Sequence, residues 1–134
     1  MSVSMSVNVS CILFVDDDEN LLEIYQEYFN DDPSYKFIYL NSGESAKQYL
    51  KNHKVDLIVS DSNMGRVSGR DLALFCDREL ATKPIFYLAT GDLFENEFAL
   101  KDEGIKRIIF KPFDLESLFE KIKSDLNQLM TKAS

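Results

Sequence analysis

Three acidic residues and one lysine stand at the ends of short apolar segments in this chain. Asp16 and Asp17 come directly after the apolar residues 12–15. Asp61 lies just past a second apolar run, and Lys111 directly follows a third. Carboxylate oxygens are ligands that Mg²⁺ prefers in proteins, and the bound ion keeps open positions for a phosphate oxygen. If these four side chains meet, they form a magnesium-dependent site for phosphate chemistry.

Short apolar runs alternate with helical patterns, which is typical of buried parallel strands joined by helices. We predict strands over five segments, namely 11–15, 37–40, 56–60, 85–90 (or 85–89) and 106–110. Helices are predicted over 20–29, 43–52, 70–80, 93–103 and from 115 to about 130. Right-handed crossovers then give an α/β fold, a doubly wound sheet of five parallel strands in the flavodoxin-like order 2-1-3-4-5.

The last predicted helix has the clearest pattern. Asp114 is a good N-cap residue for it. Apolar residues recur behind this cap at helical spacing, at Leu115, Leu118, Phe119, Ile122, Leu126 and Leu129. The third predicted helix has a similar set, at Leu72, Leu74, Phe75 and Leu80. Such stripes bury one face of a helix against a core.

The predicted strand order brings the acidic residues together. Strands one and three are neighbours, and parallel sheets bind ligands beyond the carboxyl ends of their strands. Asp16, Asp17 and Asp61 would converge there, and Lys111 would arrive from strand five. Two carboxylates about 5 Å apart repel each other by about 3 kcal/mol at an effective dielectric constant of about 20, so three without a partner would be partly protonated. A hard divalent cation such as Mg²⁺ removes this repulsion.

The composition excludes several classes of protein. A chain of 134 residues is one domain of ordinary size. Its 23 acidic and 15 basic residues give a net charge of -8, which disfavours binding to nucleic acid or to an anionic membrane. Its two cysteines match no disulfide framework or zinc pattern. We expect a cytoplasmic protein in which residues 1–10 form a disordered extension, residues 11–130 the domain and residues 131–134 a tail.

Four short motifs carry a resemblance to a known family. They are Phe14-Val15-Asp16-Asp17, Asp61-Ser62-Asn63-Met64 with Ser68-Gly69, Ala89-Thr90-Gly91 and Lys111-Pro112-Phe113. From Cys11 to about Met130 the chain resembles the receiver domains of two-component response regulators. The resemblance implies a phosphoacceptor domain of a phosphorelay. Such a domain assists its own phosphorylation and dephosphorylation but is not otherwise an enzyme.

The resemblance also implies a role for each site residue. Asp61 would receive a phosphoryl group from a sensor histidine kinase or a histidine phosphotransfer protein. Asp17, Asp61 and the backbone carbonyl of Asn63 would bind Mg²⁺ directly. Asp16 would act mainly through a bound water. Lys111 would pair with Asp61 and then with its phosphoryl group.

A hydroxyl after the fourth strand completes the family pattern. Thr90 would donate a hydrogen bond to the phosphoryl oxygens. The commonest family spacing, counted back from Gly104 and Lys111, instead places Ala89 at this position, whereas a shorter loop after the strand places Thr90 there. We favour Thr90 because alanine has no hydroxyl to donate.

Signals would leave this domain by contact with another protein. Nothing after the last predicted helix is long enough for an output domain, so we expect a stand-alone receiver. A downstream target would bind the face formed by the fourth predicted helix, the fifth strand and the fifth helix. Phosphorylation could also make the domain form a homodimer.

Two departures from the family pattern keep a second interpretation open. Gly65 stands where the family usually has Pro, and Ile108 stands where many members have Tyr or Phe. The first departure leaves the metal affinity open, and the second leaves the output mechanism open. A pseudo-receiver, which binds its partners without phosphorylation, is therefore an alternative.

Two other classes of protein are weaker alternatives. A haloacid-dehalogenase-like phosphatase also begins with a strand and Asp-x-Asp, which Asp16 and Asp18 would supply, with Thr90 and Lys111 as later motifs. The second aspartate of that family is usually followed after one residue by Thr or Val, where this chain has Asn20. A flavin-binding flavodoxin relative would share the fold, but the three consecutive aspartates would repel the flavin phosphate.

Overall fold

A five-stranded parallel sheet forms the centre of this protein, in a computed structural model that describes residues 9–92 and 103–133. The strands are β1 (Ser10–Val15), β2 (Tyr35–Leu40), β3 (Leu57–Asp61), β4 (Ile85–Thr90) and β5 (Arg107–Phe110). The helices are α1 (Glu19–Phe29), α2 (Gly43–Leu50), α3 (Gly69–Glu79) and α4 (Leu115–Ala133). The sheet order β2-β1-β3-β4-β5 confirms the predicted topology. Apart from Glu103, the helix predicted over 93–103 lies outside the described residues.

Helices cover both faces of the sheet. One layer packs α2 and α3 against it through Ala46, Leu50, Leu72, Ala73 and Cys76. The other layer packs α1 and α4 through Leu22, Tyr25, Phe29, Leu118, Ile122 and Leu126. Because both faces are buried, the central strands are apolar along their length and do not alternate with polar residues. None of the helices in the described part of the chain is long and apolar enough to cross a membrane.

Several boundaries differ from those predicted. β3 runs one residue further than expected and ends at Asp61, whose partner on β4 is Ala89. Strand pairing therefore holds the backbone of this aspartate. The predicted apolar stripe of α4 is wrong at Leu129, which is 49% exposed. A helix of this length spans about 28 Å, whereas a six-residue strand spans about 20 Å, so the last turns pass the edge of the sheet.

A buried carboxylate joins α4 to the edge of the sheet. The side chain of Asp125 accepts hydrogen bonds from Arg107 Nε at 2.7 Å, from Arg107 Nη2 at 2.9 Å and from the Tyr87 hydroxyl. Tyr87 and Arg107 are cross-strand partners on β4 and β5. Burial alone would raise the pKa of Asp125, but the hydrogen bonds from Arg107 and Tyr87 outweigh it and hold this pKa below its usual range. No sequence motif indicates this network of Asp125, Arg107 and Tyr87, the Asp125 cluster.

Candidate functional site

Three carboxylates meet at the carboxyl edge of the sheet. Asp16 and Asp17 follow β1, Asp61 ends β3, and one oxygen of each lies within 4.8 Å of the others. Asp16 is buried, Asp61 is partly exposed and Asp17 is exposed, so the cluster opens to solvent on one side. An all-oxygen donor set of this kind suits a hard cation such as Mg²⁺ or Ca²⁺ better than a thiolate-binding metal.

Lys111 lies between two of these carboxylates. The Lys111 backbone N–H donates to the carbonyl of Thr90 at 2.8 Å, which aligns the end of β5 with β4. The Lys111 ammonium donates to Asp16 Oδ2 and to Asp61 Oδ1, each at 3.0 Å. Sequence reasoning paired this lysine with Asp61 and missed the bond to Asp16. One cation therefore contacts acidic groups at the ends of two neighbouring strands.

Burial and hydrogen bonding oppose each other in this cluster. Burial raises the pKa of Asp16, although the Asp18 N–H at 2.9 Å and the Lys111 ammonium both favour its charged form. Burial alone would lower the pKa of Lys111, but its hydrogen bonds to Asp61 and Asp16 outweigh this and raise it. Lys111 therefore stays charged, and it neutralises only part of the charge of three carboxylates. The cluster retains a net attraction for a further cation.

The start of α3 packs directly against the backbone of Asp61. The Gly69 N–H donates to the Ser62 carbonyl at 3.0 Å, and the Ser62 N–H donates to the Ala89 carbonyl at 2.8 Å. A Cβ atom on Gly69 would lie 2.3 Å from the Asp61 carbonyl oxygen and 2.6 Å from Leu88 Cδ1. Only a glycine allows this close approach.

A capping box fixes the same end of α3. Ser68 Oγ accepts from the Asp71 N–H, and Asp71 Oδ2 accepts from the Ser68 N–H, each at 3.0 Å. The hydrogen bonds from Ser68 hold the pKa of Asp71 below its usual range. The hydrogen bonds to Asp71 therefore stabilise the fold at pH values above the pKa that Asp71 has in the unfolded chain. This stabilisation is lost as the pH falls through the lower pKa that Asp71 has in the folded state.

Removing the cap tests how firmly α3 is held. We expect Ser68→Ala to lower the free energy of unfolding by about 1 kcal/mol, because the Asp71 N–H loses its acceptor. Ser68→Thr keeps a hydroxyl acceptor and should lose only a fraction of this. Urea denaturation of the three proteins measures the differences. An equal loss in both variants would show that the hydroxyl of Ser68 is not what stabilises α3.

The end of β4 carries Ala89 and Thr90 in a defined register. Ala89 is the cross-strand partner of Asp61, and Thr90 is the partner of Phe110. Paired residues of a sheet point to the same face and successive residues to opposite faces, so Ala89 shares the face of Asp61. Thr90 is buried, and its hydroxyl accepts a hydrogen bond from the Asp92 N–H at 3.0 Å.

The residues of the loop after Asp61 differ in burial and in backbone conformation. Asn63 is exposed, whereas Met64 is buried in the layer under α2 and α3. Gly65 has a φ of 88°, a left-handed conformation that favours glycine. A proline, whose φ is fixed near about −65°, cannot adopt it. The backbone at residue 65 therefore has a conformation that the proline usual in this family could not adopt.

Comparisons with known proteins agree with the motifs. A family model described as the response regulator receiver domain matches residues 12–123. The chain is 29% identical over 116 residues to the heme response regulator HssR of Staphylococcus saprophyticus, covering 87% of this chain and 51% of that protein. It is 27% identical over 124 residues to the transcriptional regulatory protein GlrR of Escherichia coli, covering 92% of this chain and 28% of that protein. The chain thus spans about half the length of these relatives or less.

Solved structures show the same architecture. The signal receiver domain of an HD domain-containing protein from Pseudomonas fluorescens superimposes with a TM-score of 0.81 at 26% identity, covering 91% of this chain and 98% of that one. A CheY-like receiver domain protein from Methanospirillum hungatei gives a TM-score of 0.83 at 22% identity, covering 93% and 99%. These findings confirm the family resemblance and the fold that the motifs and strand pattern predicted.

Proposed function

Because this chain belongs to the response regulator receiver domain family, we propose that it accepts a phosphoryl group on the carboxylate of Asp61. The donor is the phosphohistidine of a sensor histidine kinase or of a histidine phosphotransfer protein, which it meets in the cytoplasm. The observation that carries the proposal is the contact of Lys111 with Asp61 and Asp16 beside the exposed Asp17. A partly exposed carboxylate with a cation on one side is placed to act as a nucleophile.

The transfer forms one bond and breaks another. A carboxylate oxygen of Asp61 attacks the phosphorus, the bond from phosphorus to the histidine nitrogen breaks, and the imidazole leaves with the electron pair. The product is an acyl phosphate. The Lys111 ammonium already lies 3.0 Å from Asp61 Oδ1, so it can neutralise charge that develops on the transferred group.

The acidic cluster supplies the metal ligands in this proposal. Asp16, Asp17, Asp61 and the backbone carbonyl of Asn63 hold Mg²⁺, with Asp16 acting mainly through a bound water. When bound, Mg²⁺ neutralises charge on the transferring phosphoryl group. Three clustered carboxylates and one shared lysine support this assignment.

Signal output follows phosphorylation in this proposal. Thr90 donates a hydrogen bond toward the phosphoryl oxygens, which requires its side chain to turn away from its present face of the sheet toward the face that Asp61 and Ala89 share. The change is transmitted to a protein partner, or to a second copy of the chain, through the face of β5, α4 and the segment before β5. The Thr90 hydroxyl acts at present as an acceptor, so its proton is available for donation.

Intact-mass spectrometry tests the phosphoacceptor. The native protein is incubated with a small-molecule acyl phosphate, with and without Mg²⁺, beside Asp61→Asn and Asp17→Asn. We expect a mass gain of one phosphoryl group that needs Mg²⁺ and is absent from Asp61→Asn. Asp17→Asn keeps the nucleophile and should gain the group more slowly, with a weakened response to Mg²⁺.

Other outcomes would contradict the proposal in distinct ways. An adduct on Asp61→Asn equal to that on the native chain would place the acceptor elsewhere. No adduct under any condition would favour the pseudo-receiver. Rapid consumption of the donor without a stable adduct would favour a phosphatase.

A further inference from the structure

A buried tyrosine lies next to the acidic cluster. Tyr25 of α1 is 1% exposed. Its ring stacks on that of Phe14 at 4.4 Å between centroids, and the ring of Phe113 lies 6.3 Å away at an interplanar angle of 14°. Phe14 precedes Asp16 by two residues, and Phe113 follows Lys111 by two residues. The ring of Tyr25 therefore lies between the two segments that carry the buried ion pair of the site.

The position of Tyr25 on α1 directs its side chain toward the site. α1 begins at Glu19, just after the acidic cluster, and helical side chains lean toward the N-terminus of their helix. The ring therefore leans toward the edge of the sheet where Asp16 and Asp61 meet. Burial raises the pKa of Tyr25, and the charges of Asp16 and Asp61 raise it further.

This hydroxyl has no hydrogen-bonding partner in the part of the chain that the structure describes. Buried polar groups in proteins are almost always paired, with protein or with ordered water. Tyr87 provides a contrast in the same layer, because it is equally buried and its hydroxyl donates to Asp125. Apolar packing alone does not explain an unpaired buried phenol at this position.

The carboxylate of Asp16 can accept further hydrogen bonds. Its Oδ1 accepts from the Asp18 N–H, and its Oδ2 accepts from the Lys111 ammonium. Each carboxylate oxygen has two lone pairs, so one remains on each atom. A phenol is a donor of the right kind, and a single water can join groups that are too far apart for a direct bond.

We propose that Tyr25 is a positioning residue of the acidic site, whose hydroxyl donates through one ordered water to the carboxylate of Asp16. This bond keeps the carboxylate of Asp16 oriented toward the cation. The proposal rests on the proposed function in one respect, that the cluster binds Mg²⁺. Groups that orient metal ligands in this way commonly affect the metal affinity.

The test compares two substitutions that each remove one buried hydroxyl. Tyr25→Phe keeps the aromatic stack, and Tyr87→Phe is the matched control in the same apolar layer. Mg²⁺ binding is titrated by calorimetry and by the near-ultraviolet difference absorption of tyrosine. We expect Tyr25→Phe to bind Mg²⁺ about three- to tenfold more weakly, as for the loss of one hydrogen bond. Tyr87→Phe should lose stability but keep the native affinity.

A spectral readout and a double-mutant cycle separate this role from a merely structural one. Mg²⁺ should perturb the tyrosine absorption of the native chain and of Tyr87→Phe, and this perturbation should be missing in Tyr25→Phe. In an Asp16→Asn background, Tyr25→Phe should weaken Mg²⁺ binding no further, because the hydroxyl acts through Asp16.

Three results would overturn the proposal. They are an unchanged Mg²⁺ affinity in Tyr25→Phe, a tyrosine spectrum of the native chain that does not respond to Mg²⁺, and a full effect of Tyr25→Phe in the Asp16→Asn background. Mg²⁺-dependent phosphorylation of Asp61 together with any of them would refute the role of Tyr25 and leave the proposed function intact. A missing phosphoryl adduct together with the expected titrations would do the reverse.

Discussion

Replacing Gly69 with alanine is expected to slow the phosphorylation of Asp61 by about tenfold to 100-fold, since displacing a reacting group by about 1 Å can cost this much. The new Cβ atom would lie 2.3 Å from the Asp61 carbonyl oxygen, which is backbone and cannot rotate away. Either α3 or the end of β3 must move. We also expect the free energy of unfolding to fall by about 1–3 kcal/mol, which is usual for overpacking.

Gly91→Ala is the matched control for this substitution. Gly91 lies near the same edge of the sheet, but an added Cβ would meet no atom of residues 9–92 and 103–133 within 4 Å, and its φ is not positive. Its stability should change by less than about 1 kcal/mol. Intact-mass time courses and urea denaturation measure the two effects in both variants. A native phosphorylation rate in Gly69→Ala would show that the position of the Asp61 backbone does not limit the transfer.

Replacing Asp125 with alanine is expected to lower the free energy of unfolding by about 3 kcal/mol. The substitution leaves the buried Tyr87 hydroxyl without its acceptor and Arg107 without its counter-charge. Breaking a buried pair on one side usually costs about 3–5 kcal/mol, and the one-third exposed side chain of Arg107 can turn toward water, which places this case at the lower end. Because a domain is stabilised by only about 5–15 kcal/mol in total, the loss should be easily measured.

Acid should reduce the difference in the free energy of unfolding between the native protein and Asp125→Ala. The pKa of Asp125 is lowered in the folded state, so its contribution is present above the unfolded value of about 3.9 and is lost as the pH falls through the lowered value. Asp77→Ala is the control, since it removes a partly exposed bridge to Lys83 and should cost less than about 1 kcal/mol. Equal losses in the two variants would contradict the importance of the Asp125 cluster.

The sheet could be predicted because its signals are local. Each central strand is buried on both faces and therefore appears as a short apolar run, and the alternation with helices restricts the order of the strands. The charged residues at the strand ends could be recognised in the sequence for the same reason, because they stand next to these apolar runs. The predicted boundaries shifted by one or two residues, and this moved Asp61 from a loop into β3.

Interactions between distant residues could not be predicted in this way. Tyr87 lies in an apolar run of the sequence, yet its hydroxyl donates to Asp125. Asp125 lies on α4, and acidic residues on helices normally face water. The close approach of Gly69 to Asp61 also depends on the angle at which α3 leaves the loop. Each of these features follows from three-dimensional packing, which a single sequence does not encode locally.

The two hydrogen bonds of the Lys111 ammonium connect the end of β3 with the start of α1. Asp18, the N-cap residue of α1, donates its N–H to Asp16, and Asp16 in turn shares the Lys111 ammonium with Asp61. A group that draws this ammonium toward Asp61 leaves Asp16 with less of its counter-charge and makes it a stronger acceptor for the Asp18 N–H. The first turn of α1 is therefore coupled electrostatically to the charge on Asp61 without touching it.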